Sequence, residues 1–410
     1  MTSFADAATS FIALQSDAAD RERAWSAFEA LGLPTTTDEV WRYAPLGEFA
    51  LDRFAPSATS AARADSTMVE GLVAHAGLVV RVVDGVVTSM GDAIEGVRVS
   101  VEATGRDEVE DERYAADAFA QLNGALAPAT ISVRVARGAR VTKPVVIVHR
   151  TDARASFPRT LVTLEEGADA TVVEYYEGGD DALVVPISAY RVGENAVLRL
   201  VTYQRLAPSA WHIARSTGVV ARDGRLLQAV VGLGGYYDRS RNDAVLAGSG
   251  SHNELRTTFL GSGRQVHDFR THQLHLAAHS SSVLLSKGAV ADESRSIYTG
   301  LIEIEHGARR TDARQTNHNL LLSPHAHADS VPNLDIREND VRCAHASSVG
   351  PLDELQRWYL ESRGVTPADA QRLMIRGFYN EMLVALPTQL AELVERDVTA
   401  VLESVTAVAS

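Results

Sequence analysis

Three stretches decide the fold: LVTLEEGADATVVEYY (161–176), SAYRVGENAVLRLVTY (188–203) and GVVARDGRLLQAVV (218–231). Each holds a short run rich in Val, Leu and Thr, a turn of Gly, Asn or Asp, and a second such run. An earlier copy is centred on Gly138-Ala139, between VRVAR and RVTKPVVIV, and a later turn falls at Gly250-Ser251. Taking the Gly or Asn of each turn, at 138, 167, 195, 224 and 250, the steps are 29, 28, 29 and 26 residues. A near-constant stride with two strands per repeat and no helix between them marks strands stacked into a solenoid. A β-sandwich also spaces its strands regularly, about every 8–12 residues; the constant stride favours the β-helix. Gly307-Ala308 and LLLS (320–323) extend the stack.

Outward from this core the pattern turns helical. The expected organisation is an N-terminal helical region with a small hairpin over 1–125, a β-helix over 126–348 and a C-terminal helical domain over 349–410. In the first region Phe11, Leu14 and Ala18, then Ala24, Phe28 and Leu31, keep helical spacing until Gly32 and Pro34. Residues 56–70 read as a loose Ala/Ser-rich connection, LVVRVVDGVV (78–87) as a hairpin turning at Asp84-Gly85, Arg106–Arg113 as a charged linker and Ala115–Leu122 as a helix. After 350, Leu352, Leu355, Trp358 and Tyr359 form an apolar helical stripe ended by Arg363-Gly364. Thr366-Pro367-Ala368-Asp369 starts a second helix, with Leu373, Met374, Gly377, Phe378 and Met382 as its apolar stripe, and Leu390–Val405 is a third.

Composition narrows the chemistry. The 410 residues carry 39 basic and 53 acidic side chains, a net charge of −14, which argues against a general nucleic-acid binder. Only Lys143 and Lys287 are lysines, and neither stands in a phosphate-binding G-x-x-x-x-G-K-[ST] loop, so any ATP chemistry belongs to another chain. No apolar run reaches the ~18 residues of a membrane span, and no leader-type segment is read, so the expected location is the cytoplasm. The one cysteine, Cys343, excludes a disulfide framework and a multi-thiolate metal site built by this chain alone.

Two features carry candidate chemistry. Nine of 13 histidines fall between 267 and 345: His267, His272, His275, His279, His306, His318, His325, His327 and His345. A cupin-like mononuclear metalloenzyme is the alternative this density raises, with His325-x-His327-x-Asp329 as a fragment of its ligand set. A structural β-helix without a metal role is the plainer alternative. Cys343-Ala344-His345 is more specific. On a strand, residues two apart share a face, so thiol and imidazole project side by side. That pair can hold a soft metal or accept sulfur when further ligands come from elsewhere; a buried free cysteine beside a satisfied histidine is the plain reading.

At these residues the chain resembles the SufB/SufD family of iron–sulfur assembly proteins. The resemblance is carried by Thr311-Asp312-Ala313, Asn319-Leu320-Leu321-Leu322-Ser323, Pro332-x-Leu334-x-Ile336 and Asp340-Val341-x-Cys343-x-His345, and continues through Val349-Gly350-x-Leu352-Asp353, Tyr359-Leu360 and Arg363-Gly364-Val365. Upstream, Glu39-x-Trp41-Arg42-Tyr43, Phe119-x-x-Leu122-Asn123, Pro158-Arg159-Thr160 and Asp268-x-x-Thr271 also match, in order. The C-x-H form, the Trp-Arg-Tyr segment and the length resemble the SufD branch, and Asn317 stands where SufB-like chains usually carry a cysteine. Ala346-Ser347-Ser348 and Asn339-Asp340 depart from the usual SufD pattern but keep small residues and one carboxylate.

The resemblance implies a right-handed parallel β-helix core flanked by N-terminal and C-terminal α-helical regions. It implies a non-catalytic scaffold subunit of a SufBCD-type complex, paired with a SufB-like subunit and docking the SufC-like ATPase, with no nucleic-acid or membrane partner. His345 is then expected at the SufB interface as a metal ligand shared with SufB, with Cys343 beside it. Leu352, Leu355, Trp358, Tyr359, Arg363, Gly364 and Phe378 are expected to dock SufC. No cofactor is expected on the chain alone, and a nascent iron–sulfur cluster is expected in the complex. Self-association of the isolated chain and a flavin in the complex stay open.

Overall fold

The computed structural model describes residues 3–54, 65–103, 117–383 and 386–408. The charged linker at Arg106–Arg113 lies outside the described residues, as do Ala115 and most of the 56–70 connection. The molecule is mainly β, a parallel β-solenoid of about eight turns with helices at both ends of the chain.

Strands alternate between two sheets. The first sheet holds β1 (Leu78–Val83), β2 (Val86–Met90), β5 (Val145–Thr151), β8 (Asp169–Gly178), β11 (Val197–Leu206), β13 (Arg225–Gly232), β15 (His252–Gly261), β17 (Ser281–Val290), β19 (Asp312–Leu321) and β21 (Arg342–Pro351). The second holds β3 (Val97–Glu102), β4 (Thr130–Val135), β7 (Arg159–Leu164), β10 (Ile187–Val192), β12 (Trp211–Val220), β14 (Tyr237–Leu246), β16 (Val266–His275), β18 (Arg295–Ile304) and β20 (His327–Ile336). The two-residue strands β6 (Ala155–Ser156) and β9 (Leu183–Val184) pair beside it. The sheets reach beyond the expected 126–348 core: β1 pairs in parallel with β5, and β21 runs to Pro351.

One corner of the solenoid explains the stride. Gly138, Gly167, Asn195, Asp223, Gly250, His279 and Arg310 all have φ between 55° and 72°. Glycine, and next Asn and Asp, tolerate this left-handed region. The N–H of each of the first six donates to the carbonyl of the residue just before the next, Gly138 to Glu166, Gly167 to Glu194, Asn195 to Arg222, Asp223 to Ser249, Gly250 to Ala278 and His279 to Arg309, and the last, Arg310, donates to Asp340. The fourth turn is therefore built on Asp223 and not on Gly224, which evens the stride. The residue after the left-handed position is small and buried in most rungs, including Ala168, Ala196, Ser251 and Ser280.

The two ends differ. At the N-terminal end β2 folds back antiparallel on β1 and β3 runs antiparallel to β4, closing both sheets. Asp84 and Gly85, at φ 51° and 83°, make the two-residue hairpin turn. At the other end both sheets stop in ten-residue strands, β20 and β21, with no further rung on them among the described residues.

Helices cover opposite sheets. α1 (Phe4–Ala13), α2 (Ala18–Leu31), three short 3-10 turns (39–41, 46–48, 51–54) and α4 (Ala118–Leu126) lie against the second sheet, where Phe4, Trp41, Phe54 and Phe119 pack with Trp211 and Tyr237. Two motifs far apart in sequence meet here. Asn123 donates to the carbonyls of Pro158 (2.9 Å) and Val185 (2.7 Å) and accepts from Arg159 (3.0 Å), pinning α4 to the solenoid. Arg21 is buried and donates to the Ala125 and Ala127 carbonyls, completing the end of α4 as a cation at a helix C-terminus should. On the first sheet, α3 (Thr67–His75), α6 (Pro367–Leu383) and α7 (Thr388–Val408) bury Val69, Ile375, Tyr379 and Val394 against Val173, Val201, Tyr203 and Val231. α5 (Glu354–Ser362) buries no residue.

The lumen changes character along its axis. Its first turns are lined by Ile131, Val133, Ile147, Val162, Val172 and Leu198. A polar group interrupts them, where Glu174 lies 3.6 Å from the buried His149 and accepts bonds from the hydroxyls of Tyr176, Ser188 and Tyr190. From the middle onward Gln228, Asn253, Thr257, Gln273, Ser286, Gln315 and Asn317 are buried inside. Bulk on one strand is matched by its absence on the next. A Cβ on Gly288 would overlap the Phe259 ring, so glycine is required there. Asp238 sits between His212 (2.8 Å) and His267 (3.2 Å). Burial raises its pKa, but the bonds to the two imidazoles outweigh this and hold it far below the usual carboxylate range.

His275 makes the buried interior pH-sensitive. Its Nδ1 lies 2.8 Å from Ser280 Oγ and its Nε2 3.0 Å from Ser282 Oγ. Ser280 gives its own proton to the Ala277 carbonyl, so Nδ1 is the donor and Ser282 donates to Nε2. Burial pushes the imidazole pKa down to about 3. The unfolded chain takes up this proton near pH 6.5 and the folded chain does not, so stability falls as pH drops from about 6.5 toward 3, by ~1.4 kcal/mol per unit. Urea unfolding at pH 7 and pH 5 should show His275→Gln losing about 2 kcal/mol less than the parent over that interval. Equal losses would place the acid sensitivity elsewhere.

Candidate functional site

The open last turn brings the sequence candidates together. In the parallel register Cys343 lies beside Ala313 and His345 beside Gln315. Ala313, Gln315 and Asn317 face the lumen and are buried, so Cys343, His345 and Ser347 continue the same inward row. Among the described residues no rung covers them. His345 and Ser347 are consequently exposed, and Cys343 is half-buried. From the opposite sheet Ser330, Leu334 and Ile336 belong to the matching inward row of β20. Ser330 ties the two strands, accepting from Asn317 Nδ2 (2.9 Å) and from Ser347 Oγ (2.7 Å).

The two candidate ligands differ in readiness. Cys343 packs against Ile302, Ile304, Ala308 and Ala313. Burial, and then the Asp312 carboxylate, raise its thiol pKa, so the isolated chain keeps it as a thiol, the poorer ligand and nucleophile. His345 stands free at the mouth. Beneath it Gln315 is buried, with neither amide atom hydrogen-bonded within the chain. Leu334, Ile336 and Val349, inward by register, are 37–42 % exposed. Inward apolar side chains left in solvent, on two unpaired strand edges, form a surface made to be covered.

The histidine density in sequence is not a cluster in space. His267 and His275 point into the lumen, His279 forms a corner, and His272 faces outward with Nε2 2.9 Å from Glu303. His327 is exposed beside Asp329 at 3.3 Å, and His325 is exposed at a turn. Among the described residues no three His, Cys, Asp or Glu side chains converge as a metal-holding group. The geometry therefore gives no support to a mononuclear centre built from the 267–345 histidines.

The seven residues expected to dock an ATPase separate into two sets. Leu355, Trp358 and Tyr359 on α5 are 78 %, 67 % and 55 % exposed. Asp353 caps this helix, accepting from the Leu355 and Gln356 amides (2.9 and 3.1 Å). Arg363 lies over the Tyr359 ring at 5.2 Å, and Gly364 turns the chain at φ 88°. Leu352 and Phe378, in contrast, pack toward the first sheet, with the Lys287 ammonium over the Phe378 ring at 5.0 Å. Leu373 on α6 is a further exposed apolar residue, 48 % accessible. Its helical spacing was visible, but the side of α6 left uncovered was not.

Comparison with known proteins points one way. Residues 146–378 match the family model described as SUF system FeS cluster assembly, SufBD core domain. The chain is 30% identical over 364 residues to the iron–sulfur cluster assembly protein SufD of Escherichia coli, covering 87% of this chain and 86% of that one. It is 32% identical over 288 residues to SufD of Bacillus subtilis, covering 68% and 66%. An iron–sulfur cluster assembly SufBD family protein of Mycobacterium tuberculosis is 29% identical over 371 residues, covering 88% and 87%.

Proposed function

The chain belongs to the SufBD family of the SUF system for iron–sulfur cluster assembly and is most like SufD; from this premise we propose that it serves as a non-catalytic scaffold subunit, pairing with a SufB-like subunit and docking a SufC-like ATPase. The observation that carries the proposal is the uncovered last turn, with Cys343 and His345 at its mouth. A strand edge from a related solenoid, laid along β20 and β21, would cover Leu334, Ile336 and Val349 and pair the open backbone groups. It would also enclose His345 in the new interface. The nascent cluster is the cargo. One thiol and one imidazole cannot complete its ligand set, so the partner must supply the rest.

The ATPase would dock on Leu355, Trp358 and Tyr359, an apolar face with aromatic anchors. Phosphate chemistry would stay in that partner, since neither lysine of this chain stands in a phosphate-binding loop. Co-expression with a SufB-like subunit and a SufC-like ATPase is the test. All three should co-purify as a stable complex that supports cluster formation. Retention of neither partner would refute the scaffold reading.

A further inference from the structure

A second cleft, of about 370 Å³, lies on the outer face of the second sheet, apart from the last turn's lumen. Its walls are Arg42 and Tyr43 from the N-terminal segment, Arg239 and Arg241 from β14, and Arg270 from β16. We propose that this cleft binds a small phosphate-bearing anion.

The pairing of the four guanidinium groups carries the argument. Arg241 is committed to Asp243, with Nε 2.9 and 3.1 Å from the two carboxylate oxygens. Arg239 is committed to Asp268 and stacked on Trp41, 3.7 Å from the ring centroid. Arg270 is only 8 % exposed, and its one ionic contact is Nε to the other oxygen of the same Asp268 at 3.3 Å, too poorly directed to be a hydrogen bond. Asp268 also accepts from Tyr237 Oη (2.8 Å) on the oxygen that Arg239 holds, and the oxygen beside Arg270 makes no hydrogen bond, so the Arg270 fork is left with an ion pair alone. Burial lowers the Arg270 pKa, and Asp268 only partly offsets this. Arg42 makes no ion pair with any described carboxylate, and Glu39 in the same wall is exposed and unpaired.

Two guanidinium groups thus have donors to spare, one of them nine-tenths buried. A buried cation with unfilled donors is costly, and an anion in the cleft would satisfy it. The planar guanidinium fork matches phosphate oxygens in pairs, and the two spare guanidinium groups, set against the one unpaired carboxylate of Glu39, leave the cleft net positive. The size of the cleft limits the ligand to a small molecule. The chain's net charge of −14 repels an extended polyanion.

The test is titration of the purified full chain with inorganic phosphate, with a phosphate monoester (glycerol phosphate) and with succinate, at constant ionic strength, read by calorimetry. Phosphate and the monoester should each bind saturably at one site, and succinate at least about tenfold more weakly. Arg42→Gln, at an exposed position, should leave the melting temperature unchanged and weaken phosphate binding about tenfold or more. Arg270→Gln should do the same, with circular dichroism confirming its fold. Absence of saturable phosphate binding, equal binding of succinate, or undiminished binding by Arg42→Gln would each overturn the proposal.

Discussion

Replacing His345 by alanine is expected to lower cluster formation by the assembled complex about tenfold or more, while the complex itself forms normally. Loss of even an outer partner of a metal ligand commonly costs ~10–100-fold, and loss of the ligand itself should cost no less. The imidazole is exposed at the mouth of the last turn and supports no packing of its own chain. Its removal should therefore change stability by no more than about 0.5 kcal/mol. Chemical reconstitution of the purified complex, followed by iron and sulfide determination, measures the effect. Normal cluster yield from the substituted complex would remove His345 from the assembly site. Cys343 is a less clean probe, because its side chain packs against Ile302 and Ile304 and its replacement also perturbs the lumen.

The second large effect concerns α5. Trp358→Asp should weaken binding of the ATPase roughly thirtyfold, the scale of an interface hot spot of ~2 kcal/mol, and Leu355→Asp with it should abolish capture. Neither residue is buried, so the chain should melt at its usual temperature. Pull-down with the ATPase, beside an unchanged melting curve, distinguishes lost docking from lost folding. Undiminished capture by the double variant would move the docking face off α5. Truncation at 350 is a poorer experiment. It removes the proposed docking face on α5 together with α6 and α7, which cover Val173, Val201 and Tyr203 on the first sheet, so lost docking and lost packing would coincide.

The stride of the solenoid was legible because Gly138, Gly167, Asn195 and Gly250 are residues that announce a left-handed turn. His279 and Arg310 adopt the same backbone and were missed as turns, since nothing in an imidazole or a guanidinium group signals it. There the corner is imposed by the bonds from neighbouring rungs. The side-by-side projection of Cys343 and His345 followed from the two-residue period of a strand. That they stand at an open end did not, because openness depends on how many rungs follow. The same limit applies to α5 and α6. Spacing shows an apolar stripe on each, but only the fold reveals that Phe378 is covered while Leu355 and Trp358 are bare. In the histidine-rich segment, alternation sends His272 and His275 to opposite faces, so density along the chain becomes dispersal in space.

The chain of corner bonds has a consequence for how such a molecule can change length. Each left-handed residue hooks onto the residue before the next one, about 28 positions on, so the corners behave like the teeth of a ratchet. One residue added within a strand would turn every later side chain of that strand inside out and leave the next hook one place off. Growth or shrinkage of the stack is therefore quantised in whole turns, or diverted into the loops away from this corner. Two related chains that differ by a complete turn would still finish in the same pair of strands, and so could still meet edge to edge.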